Sequence, residues 1–210
     1  EPFRQAQTRL AECRQALRIL ADTLANRPVM PTTAAGPHKP HGREVDIDAW
    51  LTAVLPSATG NVTAKVDAIL RLADMRQNLV NENERLDRDV ARYLPFGDFD
   101  VALPARLAAQ GVPVRLFRTP VNAPFVKPDG VLIEEFGADG KFSYCALIGP
   151  GEIPETGESI DLPEASVSAL QERQVQASAQ IDRMVARLKI AAADTSDLET
   201  EALRLTDMSL

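Results

Sequence analysis

The chain has 210 residues, of which 45% are apolar and 25% charged, so it can form one sizeable globular domain or two small ones. Its 23 basic and 30 acidic residues give a net charge of −7, which argues against nucleic acid and against an anionic membrane surface as partners. Aromatic residues make up only 5%, which favours helical packing of Leu, Ala, Ile and Val over a large compact core.

Cysteine usage and hydropathy indicate the setting of the chain. The two cysteines, Cys13 and Cys145, do not form the dense framework of a small secreted scaffold, so a reducing, cytoplasmic setting is predicted. No apolar run reaches the ~20 residues that span a bilayer, and the start lacks a signal-peptide pattern. Because the chain starts at Glu1, already inside a helical pattern, we expect it to be a fragment of a longer protein, one that can include a membrane domain.

The first predicted element is a helix over residues 1–27. Its apolar residues follow two series with a seven-residue spacing: Phe3, Leu10, Leu17 and Leu24, and Ala6, Cys13 and Leu20. This a/d pattern predicts a helix that packs against a partner helix. Residues 28–60 are rich in Pro and Gly and are predicted to be a linker, with one short helix around Trp50.

Two further long helices are predicted, over residues 61–94 and 163–210. In the first, Leu72, Leu79, Leu86 and Tyr93 again repeat every seven residues. In the second, two interleaved apolar series are interrupted at Gln174 and Thr195, and a continuous helix from Pro163 to Leu205 would be roughly 65 Å long. Whether helix 61–94 continues or reverses the direction of helix 1–27 stays open.

Residues 95–162 change to the pattern of a small α/β lobe. A short helix over 101–110 is followed by three runs rich in β-branched and aromatic residues, VPVRLF, VLIEEF and KFSYCALI, and SIDL is a candidate fourth strand. The stretch Gly137-Ala138-Asp139-Gly140 predicts a tight turn between the second and third strands. The predicted fold class is therefore α+β: a long antiparallel coiled coil or helical bundle that carries one small α/β lobe.

The join between helix and lobe reads YLPFGDFD. Pro95 is expected to end the helix because its ring cannot continue it, and Gly97 permits a sharp change of backbone direction. Phe96 and Phe99 are expected to bury against the lobe and to fix its angle to the helix. These four residues are the predicted structural site of the chain.

The residues that could carry chemistry do not predict a catalytic, metal or cofactor site. His38 and His41, the only histidines, lie in a Pro/Gly-rich loop at no recognised metal spacing from the cysteines. Glu134 and Glu135 should point to opposite faces of a strand, as solubilising residues of an edge strand. The stretch GPGEIPETGE lacks the basic residue of a phosphate-binding loop and is predicted to be a surface turn. A small α/β hydrolase is disfavoured because no catalytic base has a rigid position.

Residues 94–117 carry a resemblance to a known family. After a long heptad helix come Leu94-Pro95-Phe96-Gly97-Asp98-Phe99-Asp100, a short helix ending in Leu107-Ala108-Ala109-Gln110-Gly111-Val112, the strand Val114-Arg115-Leu116-Phe117, a hairpin and a Leu162-Pro163-Glu164 step into another long helix. This order resembles the cytoplasmic part of subunit I of prokaryotic, archaeal-type (A-type) V-type rotary ATPases, a relative of the eukaryotic a subunit. Phe96 stands where that family commonly has tryptophan.

The resemblance implies a non-catalytic stator fragment at the cytoplasmic face of a membrane-bound complex for ion or proton transport. In that family a coiled-coil arm bears lobes on which peripheral stalk heterodimers of E- and G-type subunits dock, while a separate membrane domain moves the ion. The fragment itself would neither insert into the membrane nor bind a cofactor, and its stalk-binding residues are unknown. The alternative is a coiled-coil protein of another assembly with a hinge-like lobe for dimerisation, which self-association through a sheet edge would favour.

Overall fold

The computed structural model describes residues 2–26, 61–123 and 130–208. They form a mixed α+β fold with five α-helices and four strands. The order is α1 (Pro2–Leu24), α2 (Val62–Tyr93), a 3-10 turn (Leu94–Phe96), α3 (Leu103–Ala109), β1 (Val114–Pro120), β2 (Leu132–Ala138), β3 (Phe142–Ile148), β4 (Glu158–Ile160), α4 (Val167–Ala192) and α5 (Ser196–Asp207). The predicted linker 28–60, with its helix around Trp50, lies outside the described residues.

The chain divides into two compact units. The helical unit comprises Glu1–Glu82 and Ala177–Leu210, and the lobe unit comprises Asn83–Gln176. Both α2 and α4 contribute residues to each unit. The lobe unit is therefore larger than the predicted lobe 95–162, because Leu86 and Tyr93 of α2 and Leu170 of α4 belong to the apolar core of the lobe.

The four helical segments that the structure describes in the helical unit all contribute to its core. Its buried residues are Ala6, Leu10, Cys13, Ala16, Ile19, Leu20, Val66, Ile69, Leu72, Ala73, Met184, Leu188, Ala192, Leu198 and Leu205. On α1 the buried face includes Ala16 and Ile19 in addition to the predicted series, whereas Phe3 and Leu24 at its ends are exposed. A two-stranded seam buries a narrower stripe, so this wider face indicates packing against more than one helix.

Polar contacts connect the helices of this unit. Arg9 of α1 lies 3.3 Å from Asp67 of α2. The ammonium group of Lys65 donates to the Asp197 carboxylate at 2.8 Å and to the backbone carbonyl of Asp194 at 2.9 Å. Helix α2 therefore contacts both the segment between α4 and α5 and the first turn of α5.

The prediction of one continuous helix over 163–210 is wrong. Helix α4 ends at Ala192 and α5 begins at Ser196. Between them, Asp194 accepts hydrogen bonds from the backbone and the hydroxyl of Ser196, and the Thr195 hydroxyl donates to Glu199 at 2.8 Å. Side chains of Asp, Thr and Ser compete with helical backbone bonds in this way, and they favour the start of a new helix. The break lets Leu198 and Leu205 of α5 enter the core.

The four strands form one antiparallel sheet in the order β2-β3-β1-β4. The central strands β1 and β3 have apolar residues on both faces, as expected for strands covered on both sides. One face, with Leu116, Ala146 and Ile160, packs on the helical residues of the lobe unit. The other face carries Phe117, Cys145 and Leu147, which pack with Val131.

Candidate functional site

The join between α2 and the lobe is a short 3-10 turn, Leu94–Phe96. The last residue of α2 is Tyr93, and the backbone N–H of Gly97 donates to the carbonyl of Leu94 at 3.0 Å. Gly97 has φ 74° and ψ −173°, a conformation that is essentially restricted to glycine. The chain therefore changes direction at the residue that the sequence singled out, with Pro95 inside the turn that follows the helix.

Phe96 is the aromatic centre of the lobe unit. Its side chain is only 2% exposed and packs edge-to-face on Tyr144, with ring centroids 5.5 Å apart, and on Phe136 at 5.9 Å. Phe99 is partly buried against the same cluster. Such aromatic pairs stabilise a core beyond their buried area. The predicted burial is thus complete for Phe96 and partial for Phe99, and β2 and β3 supply the ring partners of Phe96.

Replacing Gly97 with alanine tests the backbone conformation of the turn. No atom lies within 4 Å of the position that a Cβ would occupy, so the cost arises from the backbone conformation alone. We expect Gly97→Ala to destabilise the lobe unit by about 1–3 kcal/mol in a denaturant titration. Gly137→Ala is the matched control, because its Cβ position is equally open and its φ is not positive. Equal stability of the two variants would contradict the strained turn.

Asp98 extends the join to the second long helix. Its carboxylate accepts a hydrogen bond from the backbone N–H of Ser168, in the first turn of α4, at 3.3 Å. Hydrogen bonds from the side chain and backbone of Ser168 lower the pKa of Asp98. The residues after Gly97 therefore connect the end of α2 with the start of α4. No local sequence pattern indicates this role of Asp98, because its partner lies 70 residues away in the chain.

Asp139 fixes the hairpin that holds the partners of Phe96. Its carboxylate accepts hydrogen bonds from the backbone N–H groups of Lys141 and Phe142 at 2.9 and 2.8 Å, and from the Tyr144 hydroxyl at 2.8 Å. These bonds lower the pKa of Asp139 to about 2. The hydrogen bond to Asp139, followed by burial, raises the pKa of Tyr144. The tight turn predicted at 137–140 thus also orients Tyr144 towards Phe96.

Acid should remove this contribution of Asp139 to stability. Its pKa of about 2 in the folded chain lies below the ordinary 3.8, so its carboxylate stabilises the fold fully above pH 3.8, and this effect is lost as the pH falls towards about 2. We expect Asp139→Asn to lower the melting temperature at pH 6 but not near pH 2. Glu155→Gln, an exposed loop substitution, should show no such convergence. A constant difference between pH 6 and pH 2 for Asp139→Asn would rule out this carboxylate as the cause.

Residues 149–158 are predicted to be a surface turn; the part before β4, residues 149–157, covers the second face of the sheet. Ile153 packs on the cluster that contains Phe117, and the guanidinium group of Arg115 donates to the carbonyl of Gly151. A Cβ at Gly151 would lie 2.6 Å from Cγ1 of Val131, so this loop approaches closely and needs glycine there. The segment contains no basic residue, and it closes a small apolar core.

The outer strand β2 presents the most distinctive surface of the lobe unit. Leu132 is 52% exposed and Phe136 is 45% exposed, and the adjacent acids Glu134 and Glu135 are exposed as well. A register shift lies between Glu135 and Gly137, so Phe136 occupies a bulge. The prediction that the two acids lie on an edge strand is confirmed by the strand order. We call Leu132, Glu134, Glu135 and Phe136 the β2 edge.

The candidate chemical residues do not come together. Cys13 and Cys145 are both buried, and burial raises the pKa of each thiol, which keeps it protonated. The residues that the structure describes contain no cluster of three His, Cys, Asp or Glu able to hold a metal ion. His38 and His41 lie outside those residues.

The described helices include none that is both long and apolar enough to cross a membrane.

No protein-family model, curated protein or solved structure matches the chain.

Proposed function

We propose that this chain is a non-catalytic stator element of a rotary V-type ATPase or ATP synthase, part of the cytoplasmic domain of subunit I. In this proposal the helical unit belongs to a long antiparallel coiled-coil arm, and the lobe unit is the head on which a peripheral stalk docks. The element would act at the cytoplasmic face of the membrane, where it links the stalk to the ion-translocating domain.

The join is the observation that carries this proposal. In the lobe unit, Phe96 is enclosed by aromatic rings and Asp98 binds the first turn of α4. The end of one long helix and the start of another are therefore attached to the same small sheet. A stator has to resist rotary torque, and a head that is fastened to two helices suits that task better than a head on one flexible linker.

The polar residues of the lobe unit support a structural role. Asp98 binds α4, Asp139 binds the β2–β3 turn, and Asp100 accepts a hydrogen bond from the backbone N–H of Ala102 near the start of α3. The guanidinium group of Arg118 donates two hydrogen bonds, of 2.6 and 2.8 Å, to the Glu158 carboxylate across the β1–β4 pair. The same guanidinium group lies over the ring of Phe142. Each of these charged groups is used to hold a backbone segment or a neighbouring strand.

Calorimetric titration of the cognate E- and G-type stalk heterodimer into the chain tests the proposal. We expect weak binding for one isolated contact, which several contacts in the whole complex would strengthen. The affinity should fall when salt is raised from 50 to 300 mM, because charged groups at the rim of an interface are screened. Absence of binding at millimolar heterodimer would contradict the proposed function.

A further inference from the structure

Before the bulge at Phe136, strand β2 has a regular outer edge to which another strand can bond. Strand β2 is hydrogen-bonded to β3, and in the part of the chain that the structure describes no strand lies on its other side. The unpaired N–H and C=O groups of an edge strand are a template for an added strand. Strand β4, at the opposite edge, has only three residues and offers a much shorter template.

The side chains of the β2 edge combine apolar and acidic groups. Leu132 and Phe136 expose large apolar surfaces, and Phe136 is held in position by its ring contact with the buried Phe96. Glu134 and Glu135 lie between them in the sequence. An added strand would therefore find two apolar contacts flanking two negative charges.

The charge of the lobe unit indicates the kind of partner. Residues 83–176 include fifteen acidic and nine basic residues. The rest of the chain includes fifteen acidic and fourteen basic residues. The net charge is thus −6 for the lobe unit and −1 for the rest of the chain, so nearly all of the net negative charge lies in the unit that carries the β2 edge. A basic partner would be attracted to this unit, and an acidic one repelled.

The same charges oppose a second copy of this chain as the occupant. Antiparallel pairing of two identical β2 strands about a two-fold axis would bring the Glu134–Glu135 pairs of both copies together at the centre. Like charges on directly opposed residues destabilise a sheet. The acids therefore discriminate between partners: they oppose self-pairing, and they favour a strand with Lys or Arg at the facing positions.

We infer that the β2 edge binds an extended, basic segment of a partner protein by strand addition. This inference rests on the proposed function, since it assigns the stalk contact to one surface of the lobe unit. It adds the mode of binding and the charge of the segment that binds.

The first test compares two charge reversals in the stalk heterodimer titration. Glu134→Lys/Glu135→Lys should weaken binding at least tenfold, whereas Glu152→Lys/Glu155→Lys, with the same charge change on the loop that covers the other face of the sheet, should change it less than threefold. Hydrogen exchange of the unmodified chain should slow in β2 when the heterodimer is added. Binding that is unaffected by the edge variant would overturn the inference and leave the proposed function standing. No binding of the unmodified chain would overturn both.

The second test needs no partner. Removing the charges with Glu134→Val/Glu135→Val should tighten self-association at least tenfold in sedimentation equilibrium, relative to the unmodified chain, because the edge is then free to pair with itself. Glu152→Val/Glu155→Val is the matched control and should not change self-association. If the edge variant associates no more strongly than this control, the edge is not open to strand pairing and the inference fails.

Discussion

Replacing Leu188 with aspartate should unfold the helical unit. Leu188 is fully buried on α4, in the cluster to which α1, α2 and α5 all contribute. The substitution removes a large apolar side chain and places a carboxylate in an apolar cluster, so we expect the free energy of unfolding to fall by at least about 4 kcal/mol. That is a large part of the stability of an ordinary domain. Far-ultraviolet circular dichroism should show a marked loss of helix at 25 °C.

Ile190→Asp provides the control for this prediction. Ile190 is two residues away on the same helix and is 66% exposed, so the same charge enters at a solvent-facing position. We expect its melting temperature to stay within a few degrees of that of the unmodified chain. A Leu188→Asp variant as helical and as stable as Ile190→Asp would show that Leu188 does not lie in a core.

Replacing Phe96 with alanine should have the largest effect in the lobe unit. The substitution removes a ring that packs on both Tyr144 and Phe136, and the rigid sheet can refill only part of the cavity. Large aromatic-to-alanine changes in cores cost about 3–5 kcal/mol. The near-ultraviolet signal of the lobe tyrosines should collapse at a lower denaturant concentration than in the unmodified chain.

Leu94→Ala is the comparison for Phe96→Ala. Leu94 belongs to the same 3-10 turn but is 55% exposed, so its truncation removes little buried surface. We expect Leu94→Ala to lower the free energy of unfolding by less than about 1 kcal/mol. Similar midpoints for the two variants would contradict a central role of Phe96 in the lobe core.

Patterns within short stretches of the sequence predicted two of the long helices and one turn of the sheet. The seven-residue spacing indicated α1 and α2, and Gly137-Ala138-Asp139-Gly140 indicated the β2–β3 turn. Helix α1 nevertheless ends at Leu24, before the predicted residue 27. Asn26 adopts a left-handed conformation with φ 56°, which its short side chain tolerates and which closes the helix.

The break between α4 and α5 is indicated by a short polar segment, although the seven-residue apolar spacing continues across it. Asp194, Thr195, Ser196 and Asp197 are residues typical of helix starts, and their cluster favours an interruption. The apolar series nevertheless continued through Leu198 and Leu205. Leu198 and Leu205 are both buried in the core, but they belong to a separate helix, α5. The seven-residue spacing does not show where one helix ends and the next begins.

Other features depend on contacts between distant residues. The Asp98–Ser168 bond joins positions that neither spacing nor composition relates. Ile153 packs on the apolar cluster that contains Phe117, and this contact likewise depends on how the loop 149–157 folds over the sheet. A single sequence shows which residues are apolar or able to cap a helix, but only tertiary packing decides which distant partner each one meets.

Mapping the stalk heterodimer on the chain by NMR tests the proposal that the lobe unit is the docking head of a stator element. Amide shifts should be recorded for the free chain and during addition of the heterodimer at low salt. We expect the largest shifts within residues 95–162, with those of β2 prominent among them. Shifts confined to α1, α5 and the parts of α2 and α4 in the helical unit, with residues 95–162 untouched, would contradict it.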